Sequence, residues 1–307
     1  MRTTGPRPSR RTALALGAGA ALSAALPLGG TAHALSGGGI TARLRELEQQ
    51  HSARLGVFAR NLRTGRSVAY RADESFPLCS LFKTIAAAAV LRDLDHDGEF
   101  LAKRIHYTAE DVARSGFSPR TGTAENLEAG MTVAELCDAA IRYSDNTAGN
   151  LLLRQLGGPE AVTRFCRSIG DDRTRLDRWE PELNSAEPWR VTDTTTPRAV
   201  GRTYARLTLG DALAPQDRER LAGWLLANTT SGERFRAGLP ADWILADKTG
   251  GGRYGSNNDA GIAWSPDGTP VLLAVLTTRR EEDAPADHPL VAGAAALLAA
   301  ELGGNPA

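Results

Sequence analysis

The stretch WILADKTGGGRYGSNNDAGIAWSPDGTPVLLAVLT, residues 243–277, decides the fold. It holds three short apolar runs, Trp243–Asp247, Ala260–Trp264 and Val271–Thr277, each with the length and side chains of a strand. Ser265-Pro266-Asp267-Gly268 marks a turn between the last two, because Pro presets one backbone angle and Gly accepts a left-handed one. Working outward, the other end of the chain repeats the pattern: Val57–Leu62 and Ser67–Tyr70 read as strands around a Thr64-Gly65 turn. Residues 40–52, with Ile40, Leu44 and Leu47 at helical spacing, predict a helix before them, and a closing helix is expected from about Pro289 to Leu302. The middle, from about Leu81 to Leu226, reads as mostly helical with several long loops. Strands at both ends and helices between them predict an α+β fold. One five-stranded antiparallel sheet, flanked by the N- and C-terminal helices, would carry an inserted all-helical lobe. A cleft is expected where the two lobes meet.

Composition bounds the function. The 307 residues carry 36 basic and 36 acidic side chains, but four arginines and no acid fall within the first 34. Beyond residue 34 the balance is 32 against 36, a mildly acidic chain with no electrostatic reason to bind nucleic acid or an anionic membrane. The first stretch reads as an export signal: a basic start, a modestly apolar run Thr12–Leu28, and the small-x-small site Ala32-His33-Ala34. Ser9-Arg10-Arg11-Thr12-Ala13-Leu14 resembles a twin-arginine signal, the other reading being an ordinary secretory signal with two adjacent arginines. Cleavage is expected near Ala34-Leu35, giving residues 1–34 as signal and 35–307 as a secreted catalytic domain. Its α/β lobe would comprise about 35–80 and 227–307, and its helical lobe about 81–226. No later segment offers 18 consecutive apolar residues, so a monomer without stable membrane association is expected.

Three short motifs carry chemistry. Ser80 and Lys83, in Cys79-Ser80-Leu81-Phe82-Lys83, precede the Ala-rich run Thr84–Leu91, so both would sit on one face at a helix start. A serine hydroxyl is a weak nucleophile until a neighbouring base takes its proton, and a neutral lysine within reach is such a base. The helix N-terminus would direct N–H groups at developing negative charge. By itself Ser-x-x-Lys also fits any serine that caps a helix. Ser144-Asp145-Asn146 follows the helical run Val133–Tyr143, either as a plain cap or as a proton relay (Ser144), an amide donor (Asn146) and a loop brace (Asp145). Lys248-Thr249-Gly250 ends the run Trp243–Asp247. It is either a glycine turn or a cation and a hydroxyl for a carboxylate, with Gly250, Gly251 and Gly252 allowing close approach to a ligand. The chain uses 33 arginines and only three lysines, Lys83, Lys103 and Lys248. Two of those three stand in the motifs, and only lysine can give up its proton near neutral pH.

In this order the three motifs resemble those of class A β-lactamases and penicillin-binding proteins. Arg178-Trp179-Glu180-Pro181-Glu182-Leu183-Asn184, with Asp193 fifteen residues after Arg178, resembles the omega loop of the class A enzymes. The likeness covers essentially all of the chain after the signal. It implies a β-lactamase/transpeptidase-like fold and hydrolysis of the β-lactam amide of penicillins and cephalosporins through a Ser80 acyl-enzyme, conferring antibiotic resistance. It also implies an oxyanion hole of the Ser80 and Gly251 N–H groups, proton donation by Ser144, and a deacylating water activated by Glu180 and held by Asn184. Arg178 and Asp193 would close the loop as an ion pair. Lys83 and Glu180 are both open as the acylating base. Asn146, Lys248, Thr249 and Gly250 would bind substrate. Many relatives carry an arginine nine residues after the motif lysine; here that position is Asn257, and Arg234 looks like the alternative second cation. Phe117 would be the aromatic at the cleft mouth or a loop aromatic packed on its own lobe. The rival readings are a penicillin-binding D-alanyl-D-alanine peptidase and a β-lactam-binding sensor domain.

Other matches fail on chemistry, and no cofactor or metal is expected. Gly250-x-Gly252-x-x-Gly255 mimics a dinucleotide fingerprint but leads into a strand pattern rather than a helix. Asp93-x-Asp95-x-Asp97-Gly98 opens like a calcium loop, yet its twelfth position is Arg104 where a glutamate is needed. The five histidines are scattered, against a zinc site or a Ser-His-Asp enzyme. Cys79, Cys137 and Cys166 permit at most one bridge. By resemblance, the partner positions of Cys137 and Cys79 are Ala87 and Gly252, so neither family bridge is expected.

Overall fold

The computed structural model describes residues 37–303; the signal and its cleavage site lie outside them. Helix α1 (Gly37–Gln50) leads into strands β1 (Arg54–Asn61) and β2 (Ser67–Tyr70). The Asn61 carboxamide accepts from the N–H groups of Arg63 and Thr64, and Gly65 turns the chain at φ 77°. At the far end stand β3 (Ile244–Gly251), β4 (Asn257–Trp264) and β5 (Pro270–Thr278). All neighbours pair antiparallel in the order β2-β1-β5-β4-β3, so the last strand docks against the first. Strands β3 and β4 run further than their apolar runs foretell. Backbone pairing continues through Gly250 with Asn258 and Gly251 with Asn257, where the side chains are polar. Lys248-Thr249-Gly250 is therefore part of the strand and does not follow it.

The sheet is covered on both faces. Along β5, Val271, Leu273 and Val275 point to one side and Leu272, Ala274 and Leu276 to the other, the two-residue period of a strand. The first set packs with α1 and the closing helix α8 (His288–Leu302) through Leu44, Leu290, Val291 and Leu298. Each such fully buried side chain is worth roughly 1.5–3 kcal/mol. The other face meets α6 (Pro197–Thr208), whose Gly201 lies so near β5 that a Cβ there would stand 3.0 Å from Leu272 and 3.3 Å from Ala274.

Behind α6 is the helical lobe: α2 (Phe82–Ala89), α3 (Val133–Arg142), α4 (Asn146–Leu156), α5 (Glu160–Ser168) and α7 (Pro215–Leu226). Every residue of α2 is buried, which fits a helix that is apolar all round and surrounded by others. Lys83 is the one charged residue in it, a first sign of function. Asp95 and Asp97 accept from the backbone N–H groups of Leu101 and Glu99, so the calcium-like loop caps a short helix. All three cysteines are buried and free. Among the described residues no helix is long and apolar enough to cross a membrane.

Candidate active site

Ser80 sits in the tight turn Cys79–Leu81 that opens α2. The turn is clamped on two sides. Phe76 and Pro77 pair with Thr195 and Thr194, and Leu78 N–H donates to Asp193 O at 2.8 Å. The Asn258 side chain on β4 donates to Pro77 O at 2.8 Å. Cys79 and Ser144 adopt left-handed φ angles of 47° and 57°, conformations uncommon outside glycine. Such strain gathers at working sites, where the surroundings hold it in place.

Lys83 Nζ lies 2.9 Å from Ser80 Oγ, 2.8 Å from Ser144 O, 2.7 Å from Asn146 Oδ1 and 3.0 Å from Glu180 Oε1. Ser80 Oγ lies 3.3 Å from Glu180 Oε1. Asn146 donates one side-chain N–H to Ser115 O, which fixes its carbonyl toward Lys83. Asp145 braces the corner as the cap of α4, its carboxylate also accepting from the N–H groups of Arg120 and Thr121.

Glu180 reaches Ser80 from the loop between residues 178 and 193. Arg178 Nε stands 2.6 Å from Asp193 Oδ2 at the loop's neck, and Asp193 also accepts from the Asp177 and Arg178 N–H groups. Asn184 donates to Glu180 Oε2. Asn150, one turn beyond Asn146 on α4, grips the Glu180 backbone from both sides, accepting from its N–H and donating to its carbonyl, each at 2.9 Å. The motif reading missed Asn150. The signal was a second asparagine four residues on, on the same face of the helix.

The opposite wall is β3. Lys248 Nζ donates to Ser144 Oγ at 2.9 Å, so Ser144 joins the two lysines, Lys83 through its carbonyl and Lys248 through its hydroxyl. Burial, then the nearby Lys83 and Arg234 charges, push the Lys248 amine well below its usual range. Thr249 Oγ1 lies 2.5 Å from Thr230 Oγ1. Arg234 donates to Asn257 Oδ1 and, at 2.9 Å, to Thr230 O. Phe117 is 62 % exposed and does not pack on its lobe; its carbonyl accepts from Asn146 N–H at 2.8 Å.

The three glycines differ in what surrounds them. A Cβ at Gly250 would stand 3.1 Å from Cys79 Cβ and 3.3 Å from Ser80 N, and one at Gly252 would be 2.8 Å from Asn184 O. Both glycines let the chain approach itself. At Gly251 a Cβ would find nothing nearer than Ser256 O at 3.7 Å, so of the three only this position leaves ordinary contact distances.

Hydrogen bonds thus run without a break from Asn184 through Glu180, Ser80, Lys83, Ser144, Lys248, Thr249 and Thr230 to Arg234. A buried serine at a helix start, touching both an amine and a carboxylate, is equipment for hydrolysis by acyl transfer.

The comparisons with known proteins agree. A family model described as the β-lactamase enzyme family matches residues 39–302. A β-lactamase of Streptomyces lavendulae is 68% identical over 306 residues, 99% of this chain and 100% of that protein. One of Streptomyces fradiae is 68% identical over 301 residues, 97% and 98% of the two chains. The solved β-lactamase of Streptomyces albus G superposes with a TM-score of 0.85 at 63% identity, covering 86% of this chain and 99% of its own. The chain belongs to the β-lactamase enzyme family.

Proposed function

We propose that the protein is an exported class A serine β-lactamase that opens the β-lactam amide of penicillins and cephalosporins through an ester on Ser80. The observation that carries this reading is the double contact on Ser80 Oγ, with Lys83 Nζ at 2.9 Å and Glu180 Oε1 at 3.3 Å. Lys83 Nζ donates to Ser80 Oγ, Ser144 O and Asn146 Oδ1, so Ser80 Oγ accepts from the amine. The Ser80 proton then points to Glu180, which takes it as Oγ attacks the lactam carbonyl carbon. The Ser80 and Gly251 N–H groups hold the oxyanion; one such donor is worth about 2.7–4 kcal/mol in other hydrolases. The carbon–nitrogen bond breaks, and Ser144 gives its hydroxyl proton to the departing nitrogen. The proton on Glu180 passes by way of Lys83 to Ser144, which restores the hydroxyl and frees the carboxylate; Glu180 then takes a proton from a water that attacks the ester and returns it to Ser80 Oγ as the ester breaks. Asn184 Oδ1, buried and without a partner among the described residues, is an acceptor suited to that water.

Lys248, Thr249 and Arg234 bind the substrate carboxylate, Asn146 donates to its side-chain amide, and Phe117 borders the entrance. Arg178 and Asp193 keep Glu180 in place. The test is benzylpenicillin hydrolysis by the mature protein with mass spectrometry of the same sample. Many turnovers are expected from the wild type, no adduct from Ser80→Ala, and a lasting one-to-one adduct from Glu180→Ala. A lasting adduct on the wild type would move the protein to the peptidase or sensor reading.

Residues 1–34 are, on this reading, a twin-arginine export signal, and 35–307 a monomeric domain whose helical lobe spans about 81–226. Replacing Arg10 and Arg11 together by lysine is expected to hold the precursor inside the cell. Normal export of that variant would return the signal to the ordinary secretory route.

A further inference from the structure

Thr249 has a neighbour that decides where its hydroxyl hydrogen points. Buried Asn228 accepts at Oδ1 from the Thr230 backbone N–H at 3.0 Å. Because an N–H only donates, this bond fixes which end of the Asn228 amide is the oxygen. Thr230 Oγ1 lies 2.8 Å from the same oxygen. An amide oxygen only accepts, so the single hydrogen of the Thr230 hydroxyl is committed there. Thr230 Oγ1 also lies 2.5 Å from Thr249 Oγ1. With its own hydrogen engaged, Thr230 accepts in that contact and Thr249 donates. The Thr249 hydrogen is thereby turned toward Thr230, and a ligand beside Gly251 and Arg234 meets the Thr249 lone pairs. A carboxylate needs the reverse, a donor.

We propose that Thr230 is a positioning residue that sets the affinity for the substrate carboxylate. In the free enzyme it holds the Thr249 hydrogen, and a carboxylate binds only as Thr249 swings that hydrogen from Thr230 to the ligand. No covalent bond changes; one hydrogen bond is exchanged for another, and the Thr230 oxygen loses its donor. The inference rests on the reading of Thr249 as a carboxylate ligand. The Thr230 carbonyl, which accepts from Arg234 at 2.9 Å, is backbone and survives any substitution at this position.

The experiment compares KM and kcat for benzylpenicillin and for its methyl ester, in which the carboxylate charge is masked. Thr230→Val keeps the shape and removes the acceptor; Thr230→Ala does the same if the valine variant does not fold. Either is expected to lower KM for the acid between about three- and tenfold, the worth of one ordinary hydrogen bond. KM for the ester should stay unchanged and kcat should move less than KM. Thr230→Ser, which restores the acceptor, should return wild-type values. An unchanged or raised KM for the acid, or an equal fall for the ester, overturns the proposal. Thr249→Val separates the two layers. If it raises KM for the acid alone while Thr230→Val lowers nothing, only the role of Thr230 fails. If it leaves the acid's KM untouched, Thr249 is no carboxylate ligand and both readings fall.

Discussion

The two walls of the cleft are built on opposite principles. On the wall made by α2, the Ser144–Asn146 corner and the loop 178–193, most polar atoms are committed, with Asn184 Oδ1 and Thr192 Oγ1 as exceptions among the described residues. Lys83 touches four oxygens, and Asp145 accepts from Arg120 N–H, Ala148 N–H, and both the N–H and the hydroxyl of Thr121. On the wall made by β3, β4 and the segment from Asn228 to Arg234, buried polar atoms stand without partners among the described residues. They include Ser256 Oγ and Asn257 Nδ2. Burial first, and the charge of Asp247 second, push Asp259 well above the usual carboxylate range. The difference is physical. Bond-making atoms must be fixed before substrate arrives, because misplacing them by an ångström costs rate. A binding surface does not need every polar atom fixed in this way.

The sharpest way to break this contrast is to loosen the committed wall without touching a reacting atom. Asn150→Leu keeps the branched shape in a somewhat larger side chain but strips both bonds from the Glu180 backbone, leaving a buried N–H and a buried carbonyl unpaired. Each orphaned group costs about 1–3 kcal/mol, so stability should fall by about 2–6 kcal/mol in denaturant unfolding. Deacylation, read as turnover after the acylation burst, should slow by about 10- to 100-fold, the effect of misplacing a group by about an ångström. Acylation should suffer less. Undiminished turnover would mean that the loop neck at Arg178 and Asp193 holds Glu180 without help from α4.

This wall also marks what could be read from the sequence. The architecture was legible because strand and helix periods differ, and β5 alternates its two faces residue by residue. The reactive residues were legible because they come as short contiguous motifs, and because Lys83 and Lys248 break an arginine habit. Asn150 and Thr230 were not, since each acts on a residue 30 or 19 positions away and shows only an ordinary polar side chain locally. The ends of β3 and β4 escaped for a related reason. Their pairing passes through Gly250, Gly251, Asn257 and Asn258, which carry no strand signature. The close neighbours that a Cβ at Gly250 or Gly252 would meet, Cys79 and Asn184 among them, are distant in sequence and equally hidden.

The open wall can be tested through its charge, with a smaller effect. Lys248 is buried beside Lys83 and Arg234, and its amine is pushed well below the lysine range. An amine is charged below its pKa and loses the proton as pH rises through it, so Lys248 gives up its cation while an ordinary lysine, near about 10.4, is still protonated. KM for a carboxylate-bearing penicillin should therefore climb on the alkaline side at a pH where exposed lysines are unchanged, and kcat should hold longer. Lys248→Arg keeps a cation that cannot be neutralised in this range. Its KM at neutral pH is expected to be somewhat higher, because a planar guanidinium cannot copy the bonds to Ser144 Oγ and Thr249 O. Its alkaline limb should nevertheless disappear. If the limb stays where it was in the arginine variant, the titrating group lies on the committed wall, and the division between a wall that reacts and a wall that binds does not hold for charge.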